Sequence, residues 1–477
     1  MRARDVRKTK LIATIGPACD GLDTIKAMIH AGMNVARLNF SHDTHVEHRK
    51  RLELVRQAAR DLGANIAVML DTKGVKIRTG RLEGGVARLV TGDTFTLYTD
   101  GRLGDARGAS VSYAELPEEV VPGSKILIDD GVIELQVESV DANQIVCRIT
   151  RGGNLADRKG VNLPGTFLGM PAMTAENRAD LVFAVENGVD YIAASFVRGR
   201  DDVREIRQVL TEHGASIPII AKIEAAVGVQ NLDEIVAEAD GTMVARGDLG
   251  VEIPLQEVPL TQKKIIRTTV MNGKPVITAT QMLDSMRSSP LPTRAEVSDV
   301  ANAILDGTSA VMLSNETAAG KYPVEAVRTM ASLALEAETG LREYGHLQQV
   351  SAMRTFEVTE AVSQAAITMA NHLHAAAILA LTESGRTARS ISKYRPRCPI
   401  LGVSHSPTVV RAFAMNWGVT GVLLDSEPGT GDDAQIEAAL RRAKELGVVA
   451  SGDVCVVTAG RSRETGSTNL IRVVSVG

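Results

Sequence analysis

Short apolar runs recur along the first two thirds of the chain, and segments with helical spacing of apolar positions separate them. The runs predict strands at Leu11–Ile15, Val35–Leu38, Ile66–Leu70, Tyr191–Phe196, Ile217–Ile223, Thr242–Ala245, Val276–Thr280 and Ala310–Leu313. The helical patterns include Asp23–Ala31, His45–Leu62, Glu176–Asn187 (with Thr174 as its N-cap) and Val324–Thr339. Eight strand–helix units predict an α/β fold built on a (β/α)8 TIM barrel.

The alternation stops after Asp71 and resumes at Thr174. The segment between them contains runs in which apolar and polar residues alternate, at Lys125–Asp130, Val132–Val140 and Gln144–Thr150, separated by turn sequences. This pattern predicts a β-barrel inserted after the third strand of the main barrel. An insertion hinged at that point is expected to act as a lid.

A second α/β pattern occupies the C-terminal part of the chain. It predicts a helix at Glu357–His372 and strands at Ala377–Leu381, Ile400–Val403, Val419–Leu424, Val454–Thr458 and Ile471–Val476. A small open sheet with helices on both faces fits this pattern. We therefore assign residues 1–72 and 169–342 to the main barrel, 73–168 to the inserted lid, and 343–477 to a C-terminal α/β domain.

The composition excludes several classes of protein. The 477 residues are too many for one hydrophobic core. A net charge of −4 and an aromatic content of 3% argue against a surface for nucleic acid or an anionic membrane. No segment approaches the ~18 apolar residues of a membrane span. The cysteines match no zinc spacing (Cys19, Cys147, Cys398 and Cys455), so we expect free thiols in a cytoplasmic protein.

Charged residues close several of the predicted buried strands. Lys222 and Glu224 end one apolar run, and Arg246 and Asp248 end the next. Because positions i and i+2 of a strand share a face, the two members of each pair are predicted to point the same way. The same spacing recurs in the second strand, in Arg37, Asn39 and Ser41. Since unpaired buried charges are costly, these groups are expected to converge on a common ligand.

Barrel enzymes carry their reacting groups at the carboxyl ends of the strands. From the second strand to the eighth, these ends contain Arg37, Asn39, Ser41, Asp71, Ser195, Lys222, Glu224, Arg246, Gly247, Asp248, Thr280, Gln281, Ser314 and Glu316. One such residue could be a loop cap or a surface charge, but this many at one end indicate a site. Two carboxylates, Glu224 and Asp248, flanked by Lys222, Arg37 and Arg78, favour Mg²⁺, an anionic substrate and phosphoryl transfer. No Walker A sequence is present.

Long motifs surround these residues. They are Asn34–His42, Asp71–Gly74, Ile77–Gly80, Lys159–Gly165, Ala221–Glu224, Ala245–Gly250, Thr280–Leu283 and Leu313–Thr317. Together they resemble the motifs of pyruvate kinases of the bacterial type, and the resemblance extends from end to end. It implies transfer of a phosphoryl group from phosphoenolpyruvate to ADP, which forms pyruvate and ATP in glycolysis.

The resemblance also implies individual roles. Glu224 and Asp248 would hold Mg²⁺, with Mn²⁺ as an alternative metal. Lys222 would stabilise charge on the moving phosphoryl group, and Arg37 would hold that group. The backbone of Gly247 and Asp248 would bind the substrate carboxylate together with Thr280. Arg78 and Lys159 would reach the nucleotide phosphates from the lid. The candidates for the group that protonates the enolate are Thr280 (through water), Ser314 and Glu316.

A monovalent cation site is implied as well, and it would comprise Asn39, Ser41, Asp71 and Thr72. Lys76 stands where K⁺-requiring members of the family carry a glutamate. Its ammonium could supply the positive charge that K⁺ otherwise brings, so we expect catalysis to run without K⁺. Thr72, Lys73 and Thr79 nevertheless follow the K⁺-requiring pattern, and the requirement stays open from the residues alone.

In the C-terminal domain, Thr382, Ser384, Arg386 and Thr387 join a strand to the start of a helix. Free N–H groups at a helix N-terminus bind phosphate, although an ordinary turn fits the residues equally well. The resemblance favours an allosteric phosphate site here for a sugar-phosphate or nucleotide effector, with residues 460–466 closing over it. It also implies a regulatory role for this domain and a homotetramer.

Two other functions are compatible with part of the pattern. A Mg²⁺-dependent lyase or aldolase acting on an enolpyruvate would use the same end of the barrel, but it has no use for Arg78 or Lys159. A sugar-phosphate sensor that kept the fold and lost its activity would not need Lys222, Glu224 and Asp248.

Overall fold

The computed structural model describes residues 6–74, 76–166, 169–170, 173–345, 357–424, 432–460 and 468–477. The chain begins with strands β1 (Lys10–Thr14), β2 (Val35–Asn39) and β3 (Ala67–Asp71) and helices α1 (Leu22–Ala31) and α2 (His45–Leu62). Helix α2 begins where a capping box stops it from fraying: Thr44 accepts a bond from the Glu47 N–H, and the Glu47 carboxylate accepts one from Thr44. These bounds match the predicted ones to within one residue.

The inserted segment is all-β apart from one helical turn. Its elements are β4 (Ile77–Arg78), β5 (Val86–Leu89), β6 (Thr94–Tyr98), β7 (Gly108–Ser110), α3 (Leu116–Glu119), β8 (Lys125–Ile128), β9 (Ile133–Asp141), β10 (Gln144–Arg151), β11 (Gly153–Ala156) and β12 (Gly160–Asn162). Seven strands form a sheet in the order β4-β12-β8-β9-β10-β6-β7, and β11 pairs with β5. A bridge between Thr79 and Val111, just beyond the two edge strands, joins the edges. The sheet therefore closes around its own apolar core, as the predicted β-barrel requires.

The chain then returns to complete the main barrel. The elements are α4 (Ala175–Glu186), β13 (Tyr191–Ala194), α5 (Arg200–Glu212), β14 (Ile219–Ile223), α6 (Ala226–Gln230), α7 (Leu232–Glu238), β15 (Gly241–Ala245), α8 (Arg246–Glu252), α9 (Val258–Met271), β16 (Val276–Ala279), α10 (Arg294–Leu305), β17 (Ala310–Leu313), α11 (Asn315–Ala318), α12 (Pro323–Thr339) and α13 (Leu341–Tyr344). Thr174 caps α4 as predicted. The strands close in the order β1-β2-β3-β13-β14-β15-β16-β17, each parallel to its neighbours, which confirms the TIM barrel.

The C-terminal domain is an open five-stranded sheet. Its elements are α14 (Val358–His372), β18 (Ala377–Leu381), α15 (Arg386–Lys393), β19 (Ile400–Ser404), α16 (Pro407–Ala412), β20 (Val419–Leu423), α17 (Asp432–Glu445), β21 (Val454–Gly460) and β22 (Thr468–Ser475). The order is β20-β19-β18-β21-β22, and only β22 runs antiparallel to its neighbour. Helices α14 and α15 contribute to the core on one face of the sheet and α17 to the core on the other, so the predicted helices on both faces are confirmed.

The barrel strands are buried on both sides and supply two separate cores. In β1, Ile12 faces the barrel interior, while Leu11 and Ala13 face the surrounding helices. This double burial explains why the strands read as unbroken apolar runs. In the described part of the chain, no helix combines the length and apolar character needed to cross a lipid bilayer.

The C-terminal domain packs against the amino-terminal face of the barrel, where the parallel strands begin. Asp190, just before β13, is almost fully buried and accepts bonds from Arg56 of α2, Arg411 of α16 and the Val68 N–H, each at 2.7 Å. Lys10 at the start of β1 donates to the Val419 carbonyl at 2.7 Å. One carboxylate thus joins a barrel strand, a barrel helix and the C-terminal domain.

We predict that Asp190→Ala destabilises the protein strongly, because it leaves two arginines and a buried N–H without their partner. Breaking a buried ion pair from one side typically costs about 3–5 kcal/mol. The measurement is the midpoint of thermal unfolding. Asp61→Ala, which removes the exposed Lys26–Asp61 pair, serves as control and should cost at most about 1 kcal/mol. Equal midpoints for the two variants would contradict the anchoring role.

Candidate active site

A layer of polar side chains lies inside the barrel, directly above its apolar interior. Each member stands two residues after an inward-facing apolar residue of the same strand, so it points inward too. The pairs are Ile12 and Thr14, Val35 and Arg37, Met69 and Asp71, and Ile220 and Lys222. Since all these strands are parallel, the layer is at the carboxyl end of the barrel, where the sequence predicted the site.

Asp71 is the centre of this layer. It is buried, and its two carboxylate oxygens hold different cations: Oδ2 accepts from Arg37 Nε at 2.7 Å, and Oδ1 accepts from Lys222 Nζ at 3.0 Å. Arg37 Nη1 also donates to Thr14 Oγ1 at 3.0 Å. Burial by itself would raise the pKa of Asp71, but the charges of Arg37 and Lys222 hold it below its ordinary value. Asp71 is therefore an anion that fixes two cations.

The ammonium group of Lys222 has three polar partners, one for each of its N–H donors. Its three contacts are Asp71 Oδ1 and Glu224 Oε1, each at 3.0 Å, and Ser195 Oγ at 2.7 Å. Burial opposes the charge of Lys222, yet the carboxylates of Asp71 and Glu224 raise its pKa above the ordinary value. The contact with Glu224 confirms that these two residues share a face. Lys222 is a permanent, immobile positive charge at the end of β14.

Glu224 is buried next to a second carboxylate. Its Oε2 accepts from the Phe196 N–H at 2.6 Å, and the left-handed backbone of Phe196 (φ 53°) ends the extended run of β13 one residue after Ser195. Burial raises the pKa of Glu224; Lys222 lowers it, and Asp248 and Asp71 raise it further. A buried carboxylate with a second carboxylate nearby is a suitable place for a divalent cation.

Asp248 corrects one prediction from the sequence. Strand β15 ends at Ala245, and Arg246 begins helix α8, so Arg246 and Asp248 do not share a face of a strand. Arg246 instead binds Asp299 of α10 at 2.7 Å and the Thr280 carbonyl at 2.7 Å. Positions i and i+2 of a helix point in different directions. Asp248 alone turns towards the lid, where its Oδ1 accepts from Lys76 Nζ at 3.2 Å.

Thr280 lies one residue beyond the end of β16. Its φ of 67° and that of Gln281, 55°, place both in the left-handed region, which is uncommon for residues other than glycine and marks a sharp bend. The Thr280 hydroxyl accepts from the Gly247 N–H at 2.8 Å and donates to the Ala279 carbonyl at 2.6 Å. The bend therefore places Thr280 against the start of α8, beside Gly247 and Asp248.

The end of β17 carries the other two candidates for proton transfer. The buried Glu316 carboxylate accepts from the Ser314 N–H at 2.7 Å and the Leu283 N–H at 3.2 Å, so it ties two loops together. The Ser314 hydroxyl is buried and has no hydrogen-bond partner among the described residues. Glu316 is thus occupied by the backbone, whereas Ser314 keeps a hydroxyl that a ligand could engage.

The four predicted K⁺ ligands lie at the ends of β2 and β3, where Asn39 pairs in register with Asp71. Asn39 Oδ1 accepts from the N–H of the exposed Ser41 at 3.2 Å, and Thr72 Oγ1 accepts from the Ser195 N–H at 3.2 Å. Asp71 is already bound to two cations. The structure brings the four predicted K⁺ ligands together. The ammonium of Lys76 contacts the carboxylate of Asp248.

The lid presents its own cations next to one another. Strands β4 and β12 pair so that Arg78 is opposite Gly160, next to Lys159. Arg78 Nη1 donates to the Arg158 carbonyl at 3.1 Å, and Lys159 Nζ contacts Asp129 at 2.9 Å. Both side chains are substantially exposed. Arg78 and Lys159 are therefore near each other but bound to no partner within the main barrel among the described residues.

The predicted effector loop follows β18. The Thr382 hydroxyl accepts from the Gly385 N–H at 3.0 Å, and Thr387 is buried with its hydroxyl 2.6 Å from that of Thr468. Arg386 is exposed and pairs with Glu357 at 2.5 Å. Ser384 is half-buried. Of the closing segment 460–466, only Gly460 is within the described residues.

Sequence reasoning missed some polar partners. Thr14 could have been found, because it is at the carboxyl end of the first strand, where polar residues of a barrel site are expected. Asp130, which lies 3.4 Å from Lys76 Nζ, stands out in the sequence only as the last residue of the predicted run Lys125–Asp130. Asp299, the partner of Arg246, is on a helix far along the chain and carries no local signal. Among the described residues, no group of three or more histidines, cysteines or carboxylates could hold a metal.

Comparison with known proteins agrees with this geometry. The family models "Pyruvate kinase, barrel domain" and "Pyruvate kinase, alpha/beta domain" match residues 6–327 and 360–474. Pyruvate kinase of Geobacillus stearothermophilus is 49% identical over 98% of this chain and 80% of its own length. That of Clostridium acetobutylicum is 45% identical over 98% and 99%. The crystal structure of a pyruvate kinase from Cryptosporidium parvum superposes with a TM-score of 0.94 at 41% identity, covering 100% of this chain and 97% of the other. The chain belongs to the pyruvate kinase family.

Proposed function

We propose that the polar layer of the barrel transfers the phosphoryl group of phosphoenolpyruvate to ADP and so forms pyruvate and ATP. The observation that carries the proposal is the fixed ammonium of Lys222, held by Asp71, Glu224 and Ser195 at the carboxyl end of the barrel. Phosphoryl transfer depends mainly on positioning and on preorganised charge. A lysine whose three N–H donors all have partners in the protein supplies both a fixed position and a preorganised charge.

Glu224 and Asp248 are the residues that would hold Mg²⁺ or Mn²⁺. Two carboxylates are the number that Mg²⁺ commonly takes from a protein, while water and substrate oxygens complete its octahedron. Burial and nearby carboxylates raise the pKa of Glu224, so a cation bound beside it would stabilise its charged form. When bound, the metal supplies charge neutralisation for phosphate and enolate oxygens.

The chain's own groups would divide the remaining work. Arg37 and Lys222 hold the phosphoryl group between them, because Asp71 fixes the positions of both cations. The backbone N–H groups at the start of α8 and the Thr280 hydroxyl receive the substrate carboxylate. We assign protonation of the enolate to the region of Thr280, acting through water, with the unpartnered Ser314 hydroxyl as the second candidate.

The lid would bring the nucleotide to this site. Arg78 of β4 and Lys159, just before β12, are neighbours, so together they offer two cations to the phosphates of ADP. The contact between Lys76 and Asp248 already links the lid to the metal-binding carboxylate. A lyase or aldolase has no need for this second set of cations, and a sensor without activity has no need for the Lys222 network.

Three further features are proposed from family membership. The domain boundaries stay at residues 1–72 and 169–342 for the catalytic barrel, 73–168 for the lid, and 343–477 for the regulatory domain. A sugar-phosphate or nucleotide effector would bind at Thr382, Ser384, Arg386 and Thr387. The enzyme would be a cytoplasmic homotetramer.

The decisive assay couples pyruvate formation to lactate dehydrogenase, with phosphoenolpyruvate and ADP as substrates. We expect Mg²⁺-dependent turnover, and we expect sugar phosphates to change the half-saturation for phosphoenolpyruvate. Turnover of an enolpyruvate substrate without ADP would support the lyase reading. Binding of sugar phosphates with no turnover would support the sensor.

We predict that Lys222→Met lowers kcat by at least about 10²–10³-fold, because a preorganised charge is lost from the transition state. Binding of Mn²⁺, followed by electron paramagnetic resonance, should persist because Glu224 and Asp248 remain. Lys26→Met, which alters only the ion pair between Lys26 of α1 and Asp61 of α2, is the matched control and should keep normal turnover. Near-normal kcat in the Lys222 variant would refute the assigned role.

We also predict turnover in buffer free of both K⁺ and Na⁺, because the Lys76 ammonium already places a positive charge beside the carboxylates of Asp130 and Asp248. Lys76→Glu should make the rate strongly dependent on K⁺. Lys125→Met, on the lid strand β8 and paired with Glu134, is the matched control, and its response to K⁺ should equal that of the wild type. A large stimulation of the wild-type enzyme by K⁺ would show that Lys76 does not replace the ion.

A further inference from the structure

A small cavity lies where the C-terminal domain meets the amino-terminal end of the barrel. Its volume is about 10 Å³, which is room for one particle about the size of a water molecule. The barrel lines it with Lys274, before β16, and with Ser309, before β17. The C-terminal domain lines it with part of α15, with Arg395 just beyond that helix, and with Asn416 and Trp417 before β20. Both domains therefore build the cavity.

The described lining of this cavity contains four cations and no carboxylate. The cations are Lys274, Arg389, Lys393 and Arg395. Lys393 is paired with Glu360 of α14 at 2.8 Å. Within the described ranges, no carboxylate is at ion-pair distance from the other three. The lining therefore has an excess of positive charge.

Arg395 is the cation whose donors are least satisfied. The residue is 8% exposed, and its Nη2 donates to the Gly307 carbonyl at 2.6 Å and to Ser309 Oγ at 3.3 Å. Its Nε and Nη1 are buried and have no hydrogen-bond partner among the described residues. A buried donor of a charged group is strongly destabilising when it lacks an acceptor. Two donors of Arg395 thus call for an acceptor beside the cavity that Arg395 lines.

The surroundings hold the Arg395 side chain where it is. Its backbone is left-handed (φ 52°), its N–H donates to the Ser392 carbonyl at 3.0 Å, and its guanidinium is 4.6 Å from the centre of the Trp417 ring. Burial lowers the pKa of Arg395, while the charge of Glu338 opposes this effect. A guanidinium nevertheless keeps its proton in proteins. The positive charge of Arg395 is therefore permanent and needs stabilisation in place.

We propose that this cavity is a binding site for a single halide ion, chloride, which accepts from Nε and Nη1 of Arg395. An anion satisfies both donors and also offsets the excess positive charge of the lining. The small volume favours an ion of one atom over phosphate, sulfate or a carboxylic acid. A neutral water molecule would satisfy the donors, but it would leave the charge uncompensated.

The chloride site is separate from the effector loop proposed above. None of the residues assigned to the effector lines this cavity; they are Thr382, Ser384, Arg386 and Thr387. Arg395 lies beyond the opposite, carboxyl-terminal end of α15. Its bonds to Gly307 and Ser309 reach the segment of the barrel just before β17. An ion held by Arg395 would thus stabilise the packing of the two domains.

The first test is the midpoint of thermal unfolding of the full-length protein in sodium chloride and in sodium gluconate of equal ionic strength. A ligand that binds only the folded state stabilises it. We expect the midpoint in chloride minus that in gluconate to be at least about 2 °C more positive in the wild type than in Arg395→Met. Arg178→Met, which removes an exposed arginine of α4 paired with Glu212, should behave like the wild type.

Asn416→Asp is a second variant, which keeps every cation and adds a carboxylate to the lining. This carboxylate should take the place of the ion, so the variant should also lose the specific effect of chloride, and it decides the question if Arg395→Met does not fold. An equal effect of chloride in the wild type and in the variant that folds overturns the proposal. An equally large Arg395-dependent effect of sulfate overturns the choice of a halide.

The second test separates a halide from water. Crystals grown in sodium bromide should give an anomalous difference peak beside Nε and Nη1 of Arg395. Density there without anomalous signal would identify a water molecule and overturn the proposal, as would the absence of any density. None of these measurements requires turnover, so they are independent of the proposed reaction.

Discussion

The carboxylate of Asp71 is the constraint on which the active site depends. It is buried inside the barrel, and it binds Arg37 through one oxygen and Lys222 through the other. Neither cation could remain desolvated in this position without a counter-charge. Asp71 thus sets the positions of both cations. Ser195 and Glu224 complete the arrangement by taking the remaining two donors of Lys222.

Along the axis of the barrel, the apolar residues of the core are separated from the polar residues of the active site. Its interior is apolar up to the layer of Ile12, Val35, Met69 and Ile220, and it becomes polar two residues later in each of these strands. The lid contacts the polar end, where Lys76 meets Asp248. The C-terminal domain contacts the opposite end through Asp190.

The strand–helix rhythm and the inward position of Lys222 could be predicted because both follow from local periodicity. Runs such as Ala310–Leu313 are apolar throughout, since a parallel strand in a barrel is buried on both faces. The rule failed at Arg246 and Asp248, because the strand ends at Ala245 and a helix begins directly at Arg246. It also overran by one residue at Thr280, whose left-handed backbone is unusual for a threonine and is imposed by its surroundings.

The order of the amino acids alone settled the barrel, the insertion, the C-terminal sheet and the set of residues at the strand ends. These are consequences of which residues repeat at which spacing, and a spacing is a local property. Only the folded structure decided the partners: that Asp71 binds two cations, that Lys76 crosses from the lid to Asp248, and that Asp190 ties three elements together. Apart from Arg37 and Asp71, which are 34 positions apart, these contacts join residues more than a hundred positions apart. Their distances depend on how whole elements pack, which no local pattern records.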